Sequence, residues 1–238
     1  MAPYQSVFKR YEKKYLLQPE QAAAFRRAIE PYMRMDAYGR TTICSVYMDT
    51  PDFRLIRASL EKPLYKEKLR LRTYGIPKPY GTAFVEMKKK YKGVVYKRRV
   101  SMPYAQAEAW LFRGEGAPGT GQIESEIEWF MQTYAGITPA ADIFYERIAL
   151  YGIEDPGLRI TLDERIRYRA RDLSLTSGPA GELLIAPGEQ LMEIKAAGAM
   201  PVWLASTLSA LAIFPTSFSK YGNAYRNMVE KKEAMESA

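Results

Sequence analysis

The sequence contains no histidine and a single cysteine, Cys44. The first absence excludes a histidine general base, histidine-ligated metals and phosphohistidine intermediates together. The second excludes an internal disulfide and a thiolate zinc cluster, and Cys44, set in the apolar run TTICSVYM, reads as a small buried hydrophobe. Any metal must therefore be a hard cation on oxygen ligands. Long apolar runs are missing too. The stretch AGAMPVWLASTLSALAIFP is broken by Pro201 and Pro215, is too polar for a membrane anchor, and reads as a helix packed on the core. The start MAPYQSVFKRYEKKY carries charge where a secretory leader needs an apolar centre, so the cytoplasm is the expected compartment. The loop GEGAPGTG does not follow a strand in a βαβ unit and fits no nucleotide-binding fingerprint.

What is present is positive charge. There are 35 Lys and Arg against 27 Asp and Glu, a formal net charge of +8, which favours nucleotides, polyphosphate, nucleic acid or an acidic membrane surface as partners. The 18 tyrosines and other aromatics do not fall into an RRM or OB pattern, which argues against nucleic acid. A length of 238 residues with 47% hydrophobic content can bury one sizeable core, and a single domain over residues 1–238 is the simplest organisation.

The cations are ordered. Arg10, Glu12 and Lys14 alternate with other residues, as do Lys68, Arg70 and Arg72, then Glu86, Lys88 and Lys90. The same period returns in Arg159, Thr161, Asp163 and Arg165 and in Glu193 with Lys195. A period of two is strand periodicity, because side chains two apart share one face of a sheet. Neighbouring strands lie about 4.8 Å apart, so adjacent cations at an effective dielectric near 20 repel by roughly 3 kcal/mol. Such a face needs water, carboxylates or a bound polyanion. Between the charges stand Leu69, Leu71, Val85, Met87, Leu158, Ile160, Leu162 and Ile194, which need burial as well. A closed sheet with a charged lumen and helices over its apolar outside satisfies both faces. Each of Glu12, Glu86, Asp163 and Glu193 then serves either as an ion-pair partner or as a ligand for a divalent cation that neutralises phosphate.

The pattern predicts strands over residues 6–17, 40–49, 65–74, 82–90, 94–101, 142–151, 157–168 and 189–196, with weaker ones near 171–175 and 181–185. Helices are expected over 20–30, with Pro19 in the first turn, after the Asp49-Thr50-Pro51 turn with Phe53, Ile56 and Leu60, and near 103–113, 122–134, 200–212 and 222–236. The Lys92-Gly93 turn marks an antiparallel meander. With no βαβα rhythm, the expected class is α+β, a largely antiparallel closed β-barrel with helices packed around it.

Taken together, RYEKKYLL, VYMDTPDF, KLRLR, FVEMKKKYKGVVYKRRV, YERIALYG with LRITLDERI, LMEIK and FSKYGNAY resemble the VTC domain, the catalytic domain of polyphosphate polymerases, within the CYTH or triphosphate tunnel metalloenzyme group. The resemblance runs from about residue 6 to 228 and implies a β-barrel tunnel in which basic side chains hold a triphosphate or polyphosphate. It implies that Lys14, Lys97, Tyr145, Ser219 and Lys220 contact phosphate, that Arg70, Arg72, Lys88, Arg147 and Arg159 hold the transferring phosphates, and that Glu193 binds Mn²⁺ or Mg²⁺. The implied activity is transfer of the γ-phosphoryl group of ATP to a growing polyphosphate chain. A tunnel triphosphatase and a non-catalytic polyanion-binding module are the alternatives. Two positions depart from the pattern: Arg10 replaces the first carboxylate of Glu-x-Glu-x-Lys, which suits a more cationic tunnel, and Ser217 replaces a lysine found in fungal members. The SPX domain and membrane segments of the fungal proteins have no counterpart in these motifs, so regulation by inositol phosphates does not carry over. Oligomeric state and a membrane partner that receives the polymer are left open.

Overall fold

The computed structural model describes residues 11–92 and 94–237. Arg10, residues 6–10 of the first expected strand and Gly93 lie outside the described residues. The chain runs β1 (Tyr11–Leu17), α1 (Pro19–Ile29), β2 (Met33–Asp49), α2 (Arg54–Leu60), β3 (Tyr65–Tyr74), β4 (Thr82–Tyr91) and β5 (Val94–Pro103). It continues with α3 (Tyr104–Arg113), α4 (Gln122–Thr133), β6 (Thr138–Gly152), β7 (Arg159–Arg169), β8 (Glu182–Leu183), β9 (Gln190–Ala196), α5 (Val202–Ala210), β10 (Pro215–Thr216) and α6 (Lys220–Glu236).

Local chemistry sets most boundaries. Pro19 opens α1, where a missing N–H is harmless, and the Gln21 side chain accepts a 3.1 Å bond from the Gln18 N–H. Phe53, expected inside the second helix, instead stands before it with φ 58, in the left-handed region. There the buried Asp49 carboxylate takes over as cap, accepting from the Leu55 and Ile56 N–H groups at 2.9 and 3.0 Å. Residues 171–175 form no strand; a 3₁₀ turn, Leu175–Ser177, begins at the last of them. The loop GEGAPGTG joins α3 to α4, as expected. No helix among the described residues is long and apolar enough to cross a membrane.

All strand pairs are antiparallel and form one sheet in the order β10-β1-β9-β7-β6-β2-β3-β4-β5, with β8 beside β7. The α+β class is as expected, but the hydrogen-bond ladder differs from the closed barrel: among the described residues β5 and β10 are free ends. Both ends are poor at accepting another strand. β10 is two residues long and one is a proline, and β5 carries Lys97, Arg98 and Arg99 in a row. The sheet is nevertheless strongly curled, because Lys88 of β4 reaches within 3.7 Å of Glu12 of β1, far along the strand order.

The convex apolar faces are covered by helices. Leu69, Leu71, Val85 and Met87 pack with Trp110 and Leu111 of α3 and Ile127 and Phe130 of α4. Ile160, Leu162, Met192 and Ile194 pack with Phe25 and Ile29 of α1 and Leu204 and Leu208 of α5. Each such buried side chain contributes about 1.5–3 kcal/mol. A third cluster lies on the concave side, where Tyr47, Ala141, Ile143, Tyr145 and Leu191 pack with Tyr221 and Ala224 of α6. Helix α6 therefore fills part of the concavity and leaves the charged rows as the wall of the remainder.

Candidate active site

Strand register brings the charged rows onto one concave face. Directly opposed residues share a face, and Arg70 opposes Tyr47 and Glu86, Arg72 opposes Ser45, Lys68 opposes Lys88, and Glu86 and Lys88 oppose Arg99 and Lys97. On the other flank Lys14 opposes Glu193, Glu12 opposes Lys195, Lys195 opposes Arg159, and Arg147 opposes Asp163. Three carboxylate-centred groups result.

The first surrounds Glu86, which is only 2% exposed. Its Oε2 accepts from Arg70 Nε at 2.8 Å and lies 2.6 Å from Arg70 Nη2, while Oε1 lies 2.7 Å from Lys97 Nζ and from Arg99 Nε. Burial pushes the Glu86 carboxyl up, but Arg70, Arg72 and Lys97 outweigh it and hold it far below the usual carboxylate range. Arg72, itself buried, donates to Ser45 Oγ at 3.2 Å and to the Tyr145 hydroxyl at 3.1 Å. Arg70 also donates to the Tyr47 hydroxyl at 3.0 Å. Burial raises that phenol, yet Arg70, Arg72 and Lys68 draw it down to about 7.

The second group surrounds Asp163, which is buried in the wall. Arg147 grips it in bidentate fashion at 2.6 and 2.7 Å, and Lys220 Nζ donates to it at 2.6 Å. The Lys220 ammonium sits 4.4 Å from the centre of the Tyr145 ring, so Tyr145 joins both groups, by its hydroxyl to Arg72 and by its face to Lys220. Burial disfavours the charged form of Asp163, but Lys220 and Arg147 keep its carboxyl below the usual range.

The third group holds Glu193, Lys14, Lys195, Glu12 and Lys88. Glu193 lies 2.9 Å from Lys195 and 3.9 Å from Lys14, and burial is outweighed by Lys195 and Lys14, which bring its carboxyl down to about 2. Lys14 donates to the Phe218 carbonyl at 2.8 Å; burial lowers its ammonium, with Glu193 opposing and Lys220 and Lys88 adding to the fall. Ser219 caps α6, its Oγ accepting from the Gly222 N–H at 3.1 Å. Arg159 stands apart from the ion-pair groups: it is exposed, with its guanidinium 6.0 Å from the Tyr151 ring centre.

Among the described residues no three carboxylate, cysteine or histidine side chains gather into a metal cage. Glu193 and Glu12 on adjoining strands nevertheless fit a hard cation of the Mg²⁺ or Mn²⁺ type, which commonly takes one or two protein carboxylates and fills its shell with phosphate oxygens and water. Beside them Thr161, which opposes Glu193, keeps a buried hydroxyl with no hydrogen-bond partner among the described residues. The donor set suits a cation that arrives with phosphate.

All eleven expected residues lie on strands or at the start of α6, and ten of them cluster, with Arg159 at the margin; the sequence pattern begins the last helix only near residue 222, past Ser219 and Lys220. It left Glu86 and Asp163 open between pairing and metal binding, and both are centres of cation pairing. Arg99 and Tyr47 were not singled out. Arg99 had a signal, since it alternates with Lys97; Tyr47, in an apolar run, had none.

The solved structures to which the chain is similar include two that show its fold over most of its length. One is a putative adenylate cyclase from Bacillus halodurans, with a TM-score of 0.55, 14% identity and coverage of 90% of this chain and 96% of that one. The other is a putative adenylyl cyclase from Hippeastrum described as having a dominant triphosphatase activity, with a TM-score of 0.53, 14% identity and coverage of 88% and 92%. At this identity the likeness shows the fold. No curated protein sequence matches the chain significantly. The model of the VTC domain matches residues 9–229, nearly the whole chain with its charged rows and the start of α6, and the chain therefore belongs to the VTC domain family.

Proposed function

We propose that this protein is a polyphosphate polymerase in which the curled sheet serves as a triphosphate tunnel. The observation that carries the reading is the convergence of Arg70, Arg72, Lys97 and Arg99 around Glu86, and of Arg147 and Lys220 around Asp163, on one concave face of a VTC domain. Cations outnumber carboxylates there, so the face accepts a polyanion, and the carboxylates aim the guanidinium groups in advance. Donors fixed before substrate arrives need little reorganisation during reaction, which is where electrostatic catalysis gains most.

In this reading Arg70, Arg72, Lys88, Arg147 and Arg159 hold the transferring phosphates, while Lys14, Lys97, Tyr145, Ser219 and Lys220 hold donor or chain. A terminal oxygen of polyphosphate attacks the γ-phosphorus of ATP, the bond to the β–γ bridging oxygen breaks, and ADP leaves with that electron pair. The attacking oxygen is already anionic, so no general base is required, in keeping with a chain that has no histidine. A Mn²⁺ or Mg²⁺ held by Glu193, with Glu12 beside it, would neutralise charge on the phosphate oxygens. The fold likeness to a protein with triphosphatase activity supports a second reading, transfer of the γ-phosphoryl group to water.

Incubation with ATP and Mn²⁺, with and without a short polyphosphate primer, followed by ³¹P NMR, decides between them. Internal-chain phosphate signals that vanish in Glu193→Ala are the expected result. Free phosphate alone would replace the polymerase with a triphosphatase, and tight polyphosphate binding without turnover would leave a binding module.

A further inference from the structure

Most inward cations of the concave face are held by a carboxylate: Arg70, Lys97 and Arg99 by Glu86, Arg147 and Lys220 by Asp163, Lys195 by Glu193, Lys88 by Glu12. Lys68 is different. It is half-buried in the centre of β3, opposite Lys88, and its Nζ makes a single 3.3 Å hydrogen bond, to Ser219 Oγ. The charged groups that act on it most are the Tyr47 phenol on β2, Lys66 on its own strand, Lys14 on β1 and Lys88 on β4, none of them a carboxylate, and among the described residues Lys68 forms no ion pair. A half-buried ammonium surrounded by other ammonium groups and tied only to a hydroxyl is unfavourable without a counter-anion. Its surroundings become favourable when an anion enters.

Ser219 adds a second observation. Its Oγ already accepts from Lys68 Nζ and from the Gly222 N–H, so the hydroxyl proton is left to donate outward. The first turn of α6 lies behind it, with the partial positive charge of a helix start, and Lys220 follows.

We propose that Lys68 is a further phosphate-binding residue of this site, acting with the Ser219 hydroxyl to hold one phosphate unit between β3 and α6. The inference rests on the reading of the concave face as a triphosphate cradle and adds to it a residue outside the set the sequence motifs assigned. It also gives the site a pH dependence. Burial first, and then Lys66, Lys14 and Lys88 against the opposing pull of Tyr47, lower the Lys68 ammonium to about 8. Above that pH the empty site loses one of its cations.

The test is calorimetric titration of wild type, Lys68→Met and Lys68→Arg with inorganic tripolyphosphate, without ATP, at pH 7 and pH 9 and constant ionic strength. Methionine keeps the aliphatic stem and removes the charge; arginine keeps the charge at both pH values. Loss of a charge-assisted contact is expected to weaken binding by Lys68→Met roughly tenfold to hundredfold at pH 7. The affinity of wild type relative to Lys68→Arg should also fall between pH 7 and 9. Lys68→Met binding within twofold of wild type would overturn the proposal while leaving the cradle intact. If Lys68→Met does not fold, a wild type to Lys68→Arg ratio that is the same at both pH values overturns it. Absence of tripolyphosphate binding by wild type would overturn the cradle itself.

Discussion

Replacing Glu86 by glutamine removes one charge and leaves four cations facing each other. In the native wall the carboxylate receives Arg70 at 2.6 and 2.8 Å, Lys97 at 2.7 Å and Arg99 through two nitrogens at 2.7 Å, with Arg72 at 3.9 Å. The amide of glutamine keeps one acceptor and turns the other into a donor aimed at a guanidinium. Breaking a buried pair by removal of one partner typically costs about 3–5 kcal/mol. The side chains of Lys97, Arg99 and Arg70 are 43%, 28% and 22% exposed, so they recover some hydration and the lower end applies, about 3 kcal/mol. For a chain of this size that is a fall in Tm of roughly 6–12 °C. The pH dependence tests the cause. The carboxyl is held far below its ordinary 4.5, so its stabilisation is complete above about 4.5 and is lost as pH falls toward the lowered folded value. Between pH 4.5 and 3 the advantage of wild type over Glu86→Gln should therefore shrink by about 2 kcal/mol. Urea denaturation of both proteins at pH 7, 4.5 and 3 measures it. A difference below 1 kcal/mol at pH 7, or one that does not shrink at pH 3, would refute the assignment of Glu86 as the counter-charge of this group.

Two further predictions concern the rest of the wall and the core. Asp163→Asn strips Arg147 and Lys220 of their shared carboxylate and should lower stability by about 3 kcal/mol in urea. Tripolyphosphate should restore more stability to that variant than it adds to wild type, since the freed cations regain an anion; equal increments would contradict the arrangement. Cys44 is fully buried on β2 and its thiol is pushed up to about 11, by burial first. A chromogenic thiol reagent at pH 8 should therefore react only at the rate of unfolding and speed up with urea. Labelling within seconds in the native protein would place β2 elsewhere than in the core.

Several elements were legible because a single residue or a simple period decides them. Pro19 starts α1, and the alternation of Lys68, Arg70 and Arg72 with Leu69 and Leu71 defines both faces of β3. The extra length of β2, from Met33, was not legible: Met33, Met35 and Ala37 do alternate with Arg34 and Asp36, but Gly39 cuts the run off from the main strand, and pairing with β6 at residues 33–35 resumes only at Arg40, across a break in register. Phe53 fits a helical spacing by hydrophobicity, but the Asp49 cap sets the helix start one residue later.

The sequence by itself determined which side chains share a face, since a period of two is local geometry, and so it determined that cations would line one side of a sheet. It also determined the exclusion of histidine and thiolate chemistry. Only the tertiary structure decided which carboxylate holds which cation. Glu86 and Asp163 each have lysines and arginines at suitable spacing, but pairing depends on register between strands distant in sequence and on the approach of Lys220 from α6. The same holds for Lys68: its spacing matches that of its neighbours, and only the packing of α6 against the concave face sets it beside Ser219, with no ion-pair partner among the described residues. Charge periodicity is written residue by residue, whereas charge compensation is a property of the space that distant segments enclose.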